Sequence, residues 1–247
     1  MNYPNLAAAV ATRYPNANEQ TRDRLCRSAL HETAHLFVAR LVDAHPYKLR
    51  IQRSGAGWIH VHSYDEREIL ISLAGVAMEY RIEGDYSRVP PETIGDFDDA
   101  ERWCMELWDI ERPGIIAGKV IRDLVTMYGW RDVWRLIEET AVRAITKARK
   151  ADGILSADKT DALCKWLDGE LKRTGLGEEL SVLRNRVRLT ATDTQKTVCN
   201  SKQPQIATGA NRQPVLASGV FNRCSGDLPD NAINHSSFFS IKHRTAF

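Results

Sequence analysis

The sequence predicts a mainly α fold with a small β-hairpin or sheet, an α+β arrangement, from three observations. Apolar residues recur at helical spacing over most of residues 19–174. A single pair of short stretches alternates polar with apolar. Glycine and proline fall between the periodic segments and seldom inside them. With 247 residues, 43% of them apolar, the chain can bury a sizeable core.

A first helix is predicted over 19–43, closed ahead of Pro46, because proline cannot continue the helical hydrogen-bond ladder. Next, 48–53 and 58–62 alternate around Ser54-Gly55-Ala56-Gly57, which reads as a β-hairpin with one polar face. A second helix over 66–82 carries Ile69, Leu70, Leu73, Ala74, Ala77 and Met78, and its small residues permit close packing. Residues 84–94 hold prolines and a glycine and read as a loop. Further helices follow over 96–109, 114–127, 131–151 and 156–174, punctuated by Gly129, Gly153 and Gly175. From about 190 the chain turns rich in Ser, Thr, Asn, Gln and Gly without periodicity. The division expected is a lead-in at 1–18, one domain at 19–180 and a disordered tail at 190–247.

Composition removes several function classes. The net charge of +2 is near balance, and no dense Lys/Arg run with interleaved aromatics appears, so nucleic acid is not an expected partner. Arg184 to Arg188 is the most basic patch and reads as a solvated helix end. Trp103, Trp108, Trp130, Trp134 and Trp166 read as helix-packing aromatics. Cys26, Cys104, Cys164, Cys199 and Cys224 are odd in number and form no C-x-x-C pair, which fits a reducing compartment and neither a disulfide framework nor a thiolate metal site. Ala7 to Ala11 is too short for a signal-peptide core, and the apolar run 69–78 is half of a bilayer span. A cytoplasmic protein without a membrane span is expected.

The chemistry is concentrated in His31-Glu32-Thr33-Ala34-His35. Residues four apart on a helix stand one above the other, so both imidazoles can aim ring nitrogens at one metal ion. Glu32 is turned about 100° from His31, where it can reach a water on that ion and act as general base. Such a pattern can also arise on a solvated helix face. Here it is flanked by Leu25, Ala29, Leu30, Leu36, Phe37, Val38, Leu41 and Val42, and buried histidines need partners. His60 and His62 read as polar residues on the open face of the hairpin, His45 as a loop residue, and His235 and His243 lie in the tail.

A catalytic zinc takes a third protein ligand and keeps a position for water. The extended metzincin motif is excluded, since Val38 and Leu41 stand where it needs glycine and histidine. Glu79 is available for a thermolysin-like arrangement, and Asp96, Asp98 and Asp99 lie together at the start of a later helix, where acids also suit the helix dipole.

The run Leu73-Ala74-Gly75-Val76-Ala77-Met78-Glu79 followed by Gly95-Asp96-Phe97-Asp98-Asp99-Ala100 resembles the peptidase domain of the FtsH-type AAA protease family. That family has a histidine motif, a small-residue helix ending in glutamate, and an aspartate four residues before an alanine. The resemblance covers about 31–105 and weakly the helices to about 175. It implies a zincin-like helical peptidase domain in which His31, His35 and Asp96 bind Zn2+, Glu32 activates water, and Glu79 stands behind the ligands and orients one of them. The implied activity is that of a zinc metalloendopeptidase acting on unfolded or short polypeptides. Members of the family carry a membrane anchor and an ATPase module, and neither is expected here. Gly114 to Val120 has one residue too few between its glycines for a P-loop and ends in valine. ATP dependence would then come through a separate partner ATPase. The rival expectation is a catalytically silent zinc-fold module with a binding or regulatory role.

Overall fold

The computed structural model describes residues 3–52, 57–62, 65–85, 88–108 and 113–180. In chain order these form α1 (Pro4–Arg13), α2 (Glu19–Leu41), β1 (His45–Ile51), β2 (Gly57–His62), α3 (Arg67–Glu83), a 3-10 turn (Pro91–Thr93), α4 (Ile94–Trp108), α5 (Pro113–Tyr128), α6 (Arg131–Lys147), β3 (Ile154–Leu155), α7 (Ala157–Thr174) and α8 (Leu176–Leu180). The result is an α+β fold, mainly helical, with a small three-stranded antiparallel sheet.

Asn18 starts α2 by accepting the Thr21 N–H on its side chain at 2.8 Å, satisfying one of the amides that a helix start leaves open. The helix stops at Leu41, short of the predicted 43, because Asp43 takes a left-handed conformation with φ of 57°. Pro46 then lies inside β1, and the pairing register shifts between Pro46 and Lys48, as a residue without an N–H requires. Every residue from Glu32 to Ala39 is buried, because α2 runs between other helices and the sheet. Leu25, Leu30, Leu36 and Phe37 are wholly enclosed, each worth about 1.5–3 kcal/mol of burial.

The small-residue face of α3 lies against α2, and Tyr128 of α5 donates to the Ala74 carbonyl at 3.2 Å. The sheet order is β2-β1-β3, with Leu49 opposite both Ile59 and Leu155, and Leu49 and Ile51 turned into the core. The hairpin was expected and β3 was not. A two-residue strand has no period to read, and its formation cuts the predicted helix 131–151 short at Lys147.

The stretch at 1–18, read as a lead-in, contains α1. Its Leu6 and Val10 are fully buried, and the buried Glu138 of α6 accepts the Asn5 and Leu6 amides at 3.0 and 3.2 Å. The predicted turn at 54–56, the basic patch at 184–188 and the tail at 190–247 lie outside the described residues. No described helix is long and apolar enough to cross a membrane.

Candidate metal centre

Helix α2 places His31 and His35 one turn apart, and the first turn of α4 brings Asp96 against them. The Nε2 atoms of His31 and His35 are 3.0 Å apart, and Oδ2 of Asp96 lies 3.1 Å from the first and 3.4 Å from the second. Three ligands on a tetrahedral zinc ion, each about 2.0–2.2 Å from it, stand about 3.3 Å from one another. The triangle already has nearly that size.

The ring protons are fixed from behind. His35 Nδ1 lies 2.5 Å from the Ile71 carbonyl oxygen, which can only accept, so Nδ1 donates there and Nε2 is the nitrogen turned toward the site. His31 presents Nδ1 to Oε1 of Glu79 at 3.6 Å, which orients it in the same sense. Two ring nitrogens and a carboxylate oxygen then converge in a site where His35 is 5% exposed. Only a proton or a cation relieves that convergence. His31, His35 and Asp96 therefore form a group able to hold a metal ion.

The electrostatics agree. Burial alone would lower the His31 pKa, but hydrogen bonds to Asp96 and Glu79 and the charges of Asp96 and Glu32 hold it well above its usual value. Burial would raise Asp96, yet the two histidines keep it well below the ordinary carboxylate range. Glu79 is likewise held below its usual value against burial, by His31 and Arg27. Glu32 behaves oppositely. Burial pushes it up to about 7, and the nearby histidines only partly counter this. A carboxyl poised near neutrality is suited to receive and release a proton.

Two glycines make room for these side chains. A Cβ on Gly75 of α3 would lie 2.4 Å from Nε2 of both His31 and His35, so the imidazoles rest directly on the α3 backbone. A Cβ on Gly57, the first residue of β2, would lie 2.3 Å from Oε1 of Glu32. Neither glycine was identified from the sequence as part of the site. Gly75 lies in a run of small residues that signalled close packing, whereas Gly57 looked like part of a turn. Arg27, also missed, binds Glu79 at 2.6 Å.

The other candidates stay apart. Asp98 is exposed and Asp99 binds Arg102 at 2.6 Å. Glu79 reaches His31 on the ring nitrogen away from the triangle. His45 is exposed at the start of β1. His60 stacks on Trp58, with centroids 4.4 Å apart, and lies beside Tyr47. The backbone of His62 lies in β2, opposite His45. Cys26, Cys104 and Cys164 are buried free thiols. Trp103, Trp134 and Trp166 pack on the core, while Trp130 is exposed. His235, His243, Cys199 and Cys224 lie outside the described residues. Compared with family models, curated proteins and solved structures, the chain matches none.

Proposed function

We propose that the chain is a zinc metalloendopeptidase that hydrolyses peptide bonds in unfolded or short polypeptides, on a zincin-like helical domain. One observation carries the reading. Nε2 of His31, Nε2 of His35 and a carboxylate oxygen of Asp96 stand at 3.0, 3.1 and 3.4 Å from one another, with the buried carboxyl of Glu32 on the same helix as the histidines. The likeness of the His31–Glu32–His35, Glu79 and Asp96 pattern to FtsH-type peptidases supports it further.

Two imidazoles and one carboxylate suit a zinc ion, which supplies Lewis acidity that lowers the pKa of water toward about 7 and stabilises a developing oxyanion. His31, His35 and Asp96 are the residues that would hold it. Glu32 Oε accepts the proton of the attacking water and returns it to the leaving amide nitrogen, so one carboxylate serves as base and then as acid. Ile71 and Glu79 fix the ring orientations through both steps.

Substrate has an obvious place to lie. β2 is an edge strand, and no described strand pairs with its outer side. An extended polypeptide can add there through backbone hydrogen bonds, with little demand on sequence. Gly57 begins β2 against Glu32, so a chain laid along this edge passes the general base.

The test is hydrolysis of unfolded casein by the wild-type chain and by Glu32→Gln, with zinc measured in both. The reading expects cleavage that a chelator abolishes, and a loss of about 10²- to 10⁴-fold in the variant with zinc retained. A Glu32→Gln protein as active as wild type contradicts it. Zinc uptake without cleavage, alone or with an added ATP-driven unfoldase, would instead favour the silent binding module.

A further inference from the structure

Arg27 lies on α2 one turn before His31, and its guanidinium crosses to α3. Nε and Nη2 donate to Oε2 of Glu79 at 3.2 and 2.6 Å, and Nη2 also donates to Oε1 of Glu83 at 2.6 Å. Glu79 and Glu83 stand one turn apart, so a single planar fork serves both. The oxygens of Glu79 are thereby divided. Oε2 is held by Arg27, and Oε1 faces Nδ1 of His31 at 3.6 Å.

This division bears on which carboxylate reaches the cation. Glu79 and Asp96 both lie beside His31, and either oxygen type suits zinc. Asp96 has only the two Nε2 atoms as partners for Oδ2 among the described residues, whereas Glu79 is tied from behind. A buried carboxylate released from its guanidinium must find another positive partner. A cation held by His31 would be such a partner.

We propose that Arg27 is a positioning residue that selects the third ligand: by holding Oε2 it keeps Glu79 on His31 Nδ1 and leaves the metal position to Asp96. The inference rests on the metal reading above. Lysine would supply the charge without the fork that spans Glu79 and Glu83, so Arg27→Lys is expected to restore function only in part.

The experiment uses Co2+ as probe on the full chain, following its visible absorption and its affinity in wild type, Arg27→Ala, Arg27→Lys and Arg27→Ala/Glu79→Gln. Thermal melting checks that each is folded. In Arg27→Ala the intense bands of four-coordinate Co2+ weaken and affinity falls about 10- to 100-fold, the usual effect of losing a residue behind a ligand. Glu79→Gln in that background restores the bands, because its carbonyl still accepts from His31 while its charge no longer competes. A folded Arg27→Ala protein with unchanged bands and affinity overturns the proposal. So does a loss that Glu79→Gln fails to repair, which would make Arg27 a support of the fold alone. A wild type that takes up no Co2+ fails earlier, and overturns the metal reading together with this one.

Discussion

Gly57 and Glu32 are packed so closely that a methyl group on the glycine would stand 2.3 Å from Oε1 of the carboxylate. The edge strand and the carboxyl proposed as general base meet at the Gly57 backbone, where the strand has no side chain. Gly57→Ala must therefore displace Glu32. A misplacement of about 1 Å can cost about 10²-fold in rate. We expect casein cleavage to fall on that order while zinc content stays at the wild-type level, which separates this variant from one that damages the ligands.

Gly75→Ala places its methyl against Nε2 of His31 and of His35. Overpacking at such a contact costs about 1–3 kcal/mol, and here it also pushes the two imidazoles out of register. Urea unfolding should show the lower stability, and zinc analysis should show lost metal. Retention of full zinc by Gly75→Ala would mean that the histidines do not sit on α3 as described.

Glu138 serves the fold, not the site. It accepts two backbone amides at the start of α1, and hydrogen bonds to a charged group are worth about 1.5–3 kcal/mol. Glu138→Ala should speed hydrogen exchange at the Asn5 and Leu6 amides and lower the melting temperature. Zinc content should not change.

Stability of the metal-free chain should fall as pH rises from 5 to 8. His31 and Glu32 are both held above their ordinary values, so each contributes stability that is present below its unfolded pKa and lost as pH rises through the folded one. Displacing Glu32 from 4.5 to about 7 corresponds to about 3 kcal/mol. Asp96 and Glu79 are held below their ordinary values, so the stability they contribute is present above their unfolded pKa values and changes little over this window. Zinc competes with the His31 proton, so zinc affinity should weaken as pH falls. Melting curves with and without zinc across the window check both statements.

Most of the helical framework was legible because its signals are local. The observed starts and ends of α3, α5 and α7 fall close to those read from apolar spacing and from glycine. The features that escaped are tertiary. Ala7 to Ala11 looks like a weak apolar run until Glu138, far along the chain, caps it as part of α1. His31 and His35 announce themselves through four-residue spacing, but only the family resemblance, through the spacing from Asp96 to Ala100, sets Asp96 ahead of Asp98 and Asp99 in the sequence. What separates them is the direction α4 takes when it packs on α3, turning Asp96 inward and leaving Asp98 exposed. Gly57 matters only because the strand it begins lies across Glu32, a relation the sequence does not display.

His31, His35 and Asp96 are placed to hold one metal ion together. Zinc stoichiometry of the purified chain tests it most directly, with Asp96→Ala, Asp98→Ala and Asp99→Ala measured beside wild type. About one zinc per chain is expected in wild type, Asp98→Ala and Asp99→Ala, and its loss in Asp96→Ala. A wild type without zinc, or an Asp96→Ala protein that keeps it in full, would mean that these three side chains do not form the metal site.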